Sequence, residues 1–407
     1  MKQENGYAPY RGLHKEANEN LVLHAIKRNG PLSVPDLMRK LALSRPTVDD
    51  AVHRLHSRSL VRAAGTGTGT VGRRPTLWTI DAQAGFMIGV DLEYPSASVV
   101  VTNLQLKILK HERSFVDAAT TPNEILDMLF VMIDRVLTAA GADGGKLFGI
   151  GLGVPGLIDR RRGLSVEIER APFWTEVPVV SAFEERYRCP VFLENDVTMM
   201  LLAEKYFNRN LDGVTDFVYL GLRTGLGAGL FLNGKPSTGE DGNAGFIGHI
   251  TVDPQGPVCR CGNTGCLELY SGEPAILESI DRNVPMTERH RTRLHMGDLP
   301  ELADSFPEQT GAVFHDVASY LAIGIVSFVN LLDLSTVILG GNIVYAGNLF
   351  LEYLQREVAS RVMHTQRDKV DVRFGSVTEN TAALGAAVLV MKDVFEEEVF
   401  HPLPNLL

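Results

Sequence analysis

Four potential ligands for a soft metal ion lie close together in the chain. His249 is followed by Cys259, Cys261 and Cys266, which gives the spacing H-x9-C-x-C-x4-C. Three thiolates and one imidazole satisfy a tetrahedral zinc ion, and a site with four protein ligands leaves no open position for catalysis. The alternative is three buried or reactive thiols beside an unrelated histidine. The spacing favours a structural zinc site.

A second group of residues suits a polyanion and lies in the first 80 residues. This segment carries 13 Lys/Arg and 6 Asp/Glu, whereas the rest of the chain carries 26 and 43. A basic head on an acidic body indicates that only the head meets nucleic acid. The candidate DNA contacts are Ser44, Arg45, Thr47, His53, Arg54, Arg58, Arg73 and Arg74.

These candidates have different expected roles on a DNA-reading helix. Ser44 would cap the helix, while Arg45 and Thr47 at its start would meet base edges in the major groove. The basic residues farther along the helix would contact phosphates. Asp49 and Asp50 on the same helix favour the alternative of a protein-docking module with a solvated basic face.

Three helices and a hairpin must position these residues. Apolar residues recur at helical spacing within residues 18–29, 34–41 and 45–55, with a tight turn before the third helix. This order is typical of a helix-turn-helix. A Gly/Thr-rich hairpin tip then precedes Arg73 and Arg74. This hairpin would form a wing whose two arginines contact the DNA backbone or the minor groove.

The remainder of the chain has the pattern of an α/β protein. Apolar strand-like runs alternate with helical stretches from residue 86 onward, which predicts covered sheets. The whole chain has 407 residues, of which 45% are hydrophobic and 22% charged, and this composition excludes disordered, collagen-like and coiled-coil classes.

Neither a membrane span nor an export signal is expected from the sequence. The most apolar stretch, residues 320–332, is interrupted by Gly324, Ser327 and Asn330, and a span needs about 18 apolar residues. The first residues lack the apolar segment of a secretory signal. We therefore expect a cytoplasmic protein that makes no membrane contact.

Several segments together carry a resemblance to a known family. The chain resembles the ROK family (repressors, open reading frames and sugar kinases), and within it the xylose and N-acetylglucosamine repressor branch. The most specific segments are residues 242–268, 151–156 and 194–196. The resemblance covers nearly the whole chain and implies a two-lobed, actin-like fold related to hexokinase. It also implies a sugar site in the cleft and a structural zinc at the cysteine cluster.

The resemblance further implies which residues contact a sugar. These are Gly153, Gly156, Asn195, Asp196, His249 and Glu268. His249 would bind metal through one ring nitrogen while the other faces the ligand. Where the family usually has a sugar-binding glutamate, this chain has Phe246, which would alter the pocket or abolish sugar binding. On the alternative reading, Asn195 and Asp196 merely cap the helix that follows.

The same resemblance raises the question of kinase activity, which needs two phosphate loops and a base. Asp196 is a vestigial base candidate, and residues 224–229 keep a glycine-rich second loop. Active members carry Asp-x-Gly-x-Thr as the first loop, but here residues 91–95 read Asp-Leu-Glu-Tyr-Pro. Glu93 would repel phosphate and Pro95 lacks an N–H. No catalytic residue is therefore assigned.

The sequence thus predicts a transcriptional regulator, a repressor of carbohydrate metabolism or transport genes. It would bind operator DNA as a homodimer or homotetramer and respond to a carbohydrate ligand. The alternative is an active ATP-dependent sugar kinase with a regulatory DNA-binding head. The predicted domains are a winged helix-turn-helix (1–80), a first lobe (81–200) with a returning helix (380–397), and a second lobe with the zinc loop (201–379).

Overall fold

The protein has a helical head followed by a body with two five-stranded sheets. The computed structural model describes residues 8–67, 74–116, 120–142, 145–171, 173–286 and 294–395. The fold class predicted from the sequence, a winged helix-turn-helix followed by a two-lobed α/β body, is confirmed by this architecture.

The head combines three helices with a three-stranded sheet. Its elements are α1 (Ala8–Asn29), β1 (Leu32–Ser33), α2 (Val34–Leu41), α3 (Arg45–Ser57), β2 (Val61–Thr66) and β3 (Thr76–Ile80). Helix α1 begins ten residues before the predicted start. Ser33 and Asp36 form a capping box that starts α2. Leu37 and Val52 belong to the buried cluster that packs the three helices together.

The first part of the body is built on a mixed sheet. Its elements are β4 (Phe86–Glu93), β5 (Ser96–Asn103), β6 (Ile108–Phe115), α4 (Pro122–Ala139), β7 (Leu147–Val154), β8 (Leu157–Asp159), β9 (Leu164–Glu167), β10 (Thr175–Val177), α5 (Val179–Tyr187), β11 (Val191–Asn195) and α6 (Asp196–Phe207). The strand order is β11-β7-β4-β5-β6, and β8, β9 and β10 form a separate small sheet. Strands β11, β7 and β4 are parallel, so the carboxyl ends of β11 and β4 lie at the same edge of the sheet.

The second part of the body has a sheet of similar size. Its elements are β12 (Phe217–Leu222), β13 (Leu226–Leu232), β14 (Lys235–Ser237), α7 (Glu268–Ser271), α8 (Glu273–Asn283), α9 (Leu299–Ser305), α10 (Pro307–Leu332), β15 (Thr336–Gly341), α11 (Gly347–Arg361), β16 (Asp371–Phe374) and α12 (Thr381–Phe395). The strand order is β14-β13-β12-β15-β16. Hairpin β12–β13 therefore lies at the centre of the sheet.

Helix α10 forms the centre of the second lobe. Its side chains Val317, Leu321 and Ile325 are buried in the core beside this sheet. Among the described residues it is the one helix with the length and apolar composition to cross a membrane, and half of its most apolar window is buried inside the protein. A helix that buries this much of its apolar surface inside the protein is typical of the core of a folded domain.

Helix α12 returns from the second lobe and packs between the first sheet and α6. The backbones approach so closely that a Cβ at Gly89 of β4 would overlap the carbonyl oxygen of Ala383. A Cβ at Gly385 would overlap the carbonyl oxygen of Met199 on α6. Glycine at both positions thus permits a contact between backbones that any side chain would prevent.

A buried carboxylate fixes the chain where it enters α12. Glu204 of α6 is fully buried. It accepts hydrogen bonds from Ser376 N at 2.8 Å, Ser376 Oγ at 3.0 Å and Val377 N at 3.1 Å. Asn208 Nδ2 donates a further bond at 2.6 Å. One carboxylate therefore satisfies four donors and joins α6 to the segment before α12.

We expect Glu204→Ala to lower the free energy of unfolding by about 3 kcal/mol, because several buried donors would lose a charged acceptor. Urea unfolding followed by circular dichroism measures this change. Glu185→Ala, which removes an exposed carboxylate on α5, serves as the control. Equal unfolding free energies for the two variants would contradict the assigned role of Glu204.

Candidate functional site

A cavity of about 120 Å³ is lined by residues from both lobes of the body. Five of the six predicted ligand contacts line it, namely Gly156, Asn195, Asp196, His249 and Glu268. Gly153 is not among the lining residues. It lies within β7, where a Cβ would be 3.2 Å from Met199 Cγ. The ligand contact of Gly153 stays a prediction.

The junction of β11 and α6 supplies one wall of this cavity. Asn195 caps α6, and its Oδ1 accepts from Val197 N at 3.0 Å. Its Nδ2 donates to the Gly156 carbonyl at 3.5 Å. Asp196, the first residue of the helix, is 7% exposed and lines the cavity. The capping role considered from the sequence is real, and it holds both side chains at the cavity wall.

The second lobe supplies the opposite wall. Glu268 begins α7, and its Oε2 accepts from Leu226 N at 2.9 Å, which ties the carboxylate to the glycine-rich turn. Phe246 also lines the cavity, with 37% of its surface exposed, and its ring centroid lies 6.2 Å from that of His249. Phe246 therefore presents an apolar surface beside the polar groups that could bind hydroxyls.

The floor of the cleft contains a cluster of four charged side chains. Arg223 follows β12, and its guanidinium donates to both oxygens of Asp91, at 3.0 and 2.6 Å. It also pairs with Glu93 at 2.6 Å and with Asp196 at 3.2 Å. No side chain of the four is more than 13% exposed. One buried cation therefore faces three carboxylates from the other lobe.

Burial and mutual repulsion change how these groups ionise. Burial raises the pKa of Asp196 to about 6; Arg223 opposes this change, while Asp91 and Glu93 add to it. Burial also raises the pKa of Asp91, against the opposing charge of Arg223. Burial disfavours the charged form of Arg223, but the neighbouring carboxylates raise its pKa well above the usual value. Arg223 is thus the group that opposes the protonation of Asp91 and Asp196.

Sequence reasoning did not identify Arg223. It placed Glu93 as a repulsive charge in the first phosphate loop but did not find the cation that Glu93 contacts. The available signal was an arginine directly after the apolar strand Phe217–Leu222 and directly before the glycine-rich turn. Sequence reasoning also assigned no role to Tyr94. It is 6% exposed, it lines the cavity, and its hydroxyl has no hydrogen-bond partner among the described residues.

The four potential metal ligands come together as the sequence predicts. The ligand atoms of His249, Cys259, Cys261 and Cys266 all lie within 4.8 Å of one another. Cys261 Sγ is 3.6 Å from Cys266 Sγ, and Cys259 Sγ is 3.8 Å from His249 Nδ1. Ligands about 2.0–2.3 Å from a tetrahedral ion are separated by roughly these distances. The group is a possible metal-binding cluster.

The second nitrogen of His249 does not project freely into the cavity. His249 Nε2 lies 3.4 Å from Glu169 Oε1. A carboxylate on the far nitrogen is the usual way to orient a metal-binding imidazole. Both His249 and Glu169 line the cavity, and the contact of this nitrogen with a ligand stays a prediction.

The head presents α3 with its predicted contact residues at its start. Ser44 Oγ caps the helix by accepting from Thr47 N. Arg45 is 70% exposed and pairs loosely with Asp49 at 3.5 Å. His53 and Arg74 are exposed, whereas Arg73 lies outside the described residues. Asp49 thus acts as a helix partner for Arg45, which remains available at the surface.

Two of the predicted phosphate contacts have partners within the head. Glu19 of α1 is buried and pairs with Arg54 at 2.8 Å and with Arg58 at 3.1 Å. Arg54 also contacts Asp50 at 3.2 Å. These ion pairs fix α3 against α1, so the structure gives both arginines an internal role. Arg58 remains 63% exposed.

Comparison with known proteins extends these observations over the whole chain. The MarR family model matches residues 18–73. The xylose repressor of Bacillus subtilis (strain 168) is 30% identical over 379 residues, which cover 93% of this chain and 95% of that protein. The N-acetylglucosamine repressor of Escherichia coli O157:H7 is 26% identical, with 93% of each chain covered.

Solved structures share the same fold. A ROK family transcriptional regulator, described as a homologue of the E. coli MLC protein, superposes with a TM-score of 0.80 at 22% identity over 94% of this chain and 97% of that one. A ROK family glucokinase from Streptomyces griseus, solved with glucose and AMPPNP, gives a TM-score of 0.66 at 24% identity over 75% of this chain and 99% of that one. At these identities the similarity establishes the fold.

The glucokinase match covers 75% of this chain, whereas the regulator match covers 94%. The family model for the body spans residues 87–393, which contain both sheets, the charged floor and the cysteine cluster. The chain described here belongs to the ROK family.

Proposed function

We propose that this protein is a sugar-responsive transcriptional repressor. The observation that best supports this proposal is the combination of a winged helix with a kinase-like cleft. In that cleft the candidate base, Asp196, is paired with the guanidinium of Arg223. The relatives named as xylose and N-acetylglucosamine repressors match both parts of the chain. The ligand class is a carbohydrate, the DNA partner is an operator, and the regulated genes serve carbohydrate metabolism or transport.

The same cleft argues against phosphoryl transfer. A kinase must hold a triphosphate and use a free carboxylate as base. Here Glu93 and Tyr94 replace the first phosphate loop, and Arg223 binds the carboxylate of Asp196. We therefore propose a protein without enzymatic activity, in which Asp196 contacts the ligand. ADP release above that of an Asp196→Asn variant, with any monosaccharide, would favour the kinase alternative.

Ligand contacts are proposed for the residues that line the cleft. They are Gly156, Asn195, Asp196, His249 and Glu268, with Phe246 as an apolar surface against one face of the ring. Amide and carboxylate groups suit sugar hydroxyls because each hydroxyl both donates and accepts.

One helix links this site to the head. Helix α6 begins with Asp196 in the cleft, is about 18 Å long at 1.5 Å per residue, and ends beside α1. Tyr206 near its end lies 5.3 Å, from ring centroid to Nζ, from Lys27 of α1. Helix α12 packs along α6 and also contacts α1. A movement of α6 on ligand binding would therefore change the position of the head.

The cysteine cluster is proposed to hold structural zinc. Burial raises the pKa of the Cys266 thiol to about 12, so a bound cation is needed to hold it as thiolate at neutral pH. Cys259 and Cys266 are buried, as expected for a closed site. Zinc would fix the loop that carries His249 and thereby support the cleft wall.

We propose domain boundaries at residues 1–80 for the head, 81–200 with residues 380–397 for the first lobe, and 201–379 for the second lobe. A symmetric operator requires paired heads, so the protein is proposed to act in the cytoplasm as a homodimer or homotetramer.

The function is tested by fluorescence anisotropy with DNA from upstream of its own gene, with random DNA, and with d-xylose, N-acetyl-d-glucosamine or d-glucose added. Arg45→Ala should lower operator affinity about tenfold while changing random-DNA affinity little, because base contacts carry the specificity. Arg161→Ala, an exposed arginine of the body, is the control. Equal affinity for operator and random DNA, with and without sugar, would exclude the proposed function.

For the metal cluster, we expect about one zinc per chain in the wild type and none in Cys261→Ser, by elemental analysis. The variant should also unfold at a lower temperature, since metal binding is coupled to folding. Cys189→Ser, which lies outside the cluster, should keep its zinc. A full zinc content in Cys261→Ser would show that the assigned ligand set is wrong.

For the link through α6, Tyr206→Ala should leave sugar affinity and sugar-free operator affinity within about twofold. It should reduce the effect of sugar on operator affinity at least about fivefold, since this effect is a coupling free energy between sites. Tyr345→Ala, which removes another exposed tyrosine, in the second lobe, is the control. An undiminished sugar effect in Tyr206→Ala rules out this route.

A further inference from the structure

The charged floor of the cleft joins residues that are distant in the chain. Asp91 and Glu93 lie on β4, Asp196 begins α6, and Arg223 follows β12 in the other lobe. The exposed fractions of their side chains are 6%, 13%, 9% and 10%. Water therefore screens these charges weakly, so the attraction and repulsion among them are strong.

The N–H groups of Arg223 are shared unequally among the three carboxylates. Asp91 receives two bonds from the guanidinium, Glu93 is in close contact, and Asp196 is held by a single longer contact of 3.2 Å. Asp91 and Glu93 thus fix the position of the guanidinium. The planar guanidinium in turn presents one N–H group to Asp196 in a defined direction.

Among the three carboxylates, Asp196 is the one that lines the cavity. Its contact with Arg223 therefore matters most for ligand binding. A carboxylate that accepts from a sugar hydroxyl must be ionised, since the protonated form loses acceptor capacity and gains a donor. The charged groups facing Asp196 are Asp91 and Glu93 from β4 and Arg223 from the end of β12. Two of these three favour protonation, and only Arg223 opposes it.

We propose that Arg223 is a positioning residue for carbohydrate recognition, which holds Asp196 as an oriented, ionised acceptor for one ligand hydroxyl. This inference rests on the proposed effector site in the cleft. It assigns to an internal cation, supplied by the second lobe, the task of opposing the protonation of Asp196. It also makes ligand binding sensitive to the ionisation of Asp196.

The sign of this sensitivity follows from the direction of the shift. The pKa of Asp196 is raised to about 6, so ligand affinity should fall as the pH decreases through this value. Removal of Arg223 raises the pKa further, which moves the midpoint to higher pH. Removal of the Asp91 charge lowers the pKa of Asp196 and moves the midpoint to lower pH.

The test is isothermal titration calorimetry with d-xylose and N-acetyl-d-glucosamine as probes between pH 5 and 8.5. Arg223→Gln should bind at least about tenfold more weakly at pH 7 and shift the midpoint upward by about one pH unit or more. Arg223→Lys should restore part of the affinity and a midpoint near that of the wild type. Asp91→Asn should shift the midpoint downward. Arg162→Gln, on the exposed turn before β9, is the control.

The outcomes separate this inference from the function on which it rests. A wild type that binds neither sugar at any pH overturns the proposed effector site and the role of Arg223 together. A wild type that binds, with midpoints unchanged in Arg223→Gln and Asp91→Asn, overturns the role of Arg223 alone. A purely structural role would lower the melting temperature without opposite midpoint shifts. If Arg223→Gln does not fold, Arg223→Lys and Asp91→Asn still decide the question.

Discussion

The direct contact of backbones around helix α12 is the constraint on which the rest of the body depends. Gly89 on β4 and Gly385 on α12 allow the helix to touch both the first sheet and α6 without intervening side chains. Such contact couples α6 tightly to α12, because protein interiors are close-packed, so a displacement of one helix is transmitted to the other. Glu204 strengthens the same arrangement by satisfying the donors that precede α12. The position of Asp196, at the start of α6, follows from this packing.

The charged floor of the cleft depends in turn on that position. Three carboxylates placed together are stable only with a cation nearby, and the two lobes meet where Arg223 can supply one. A buried cluster of this kind contributes less to stability than to specificity, since each charge loses its hydration. Two of the three carboxylates, Asp91 and Glu93, come from one strand, β4, and the third, Asp196, begins α6.

The head is joined to the body by apolar packing as well as by the polypeptide chain. Val22 and Ile26 of α1 belong to the same buried cluster as Val388 of α12 and Met200 of α6. The ion pairs of Glu19 with Arg54 and Arg58 hold the reading helix to α1. A displacement of α1 would therefore carry α3 with it. This continuity gives a physical basis for communication between the cleft and DNA, because both sites contact rigid helices.

Much of the organisation was readable from local sequence. The H-x9-C-x-C-x4-C spacing identified the metal cluster because ligands so close in the chain meet through short turns. The cap at Ser44 and the apolar periodicity of α3 identified the reading helix, since these depend on neighbouring residues alone. The junction of Asn195 and Asp196 was identified through the family resemblance, and its helix cap agrees with the structure.

Long-range pairing decided the rest. Arg223 and Asp91 are 132 residues apart, and no local pattern reports that a cation from one lobe contacts an acidic strand of the other. The same reason explains the internal partners of Arg54 and the engagement of His249 by Glu169. The sequence by itself determined which local elements and ligand groups this protein has. Only the tertiary structure decided which charges face one another, because burial and distance set the strength of each interaction.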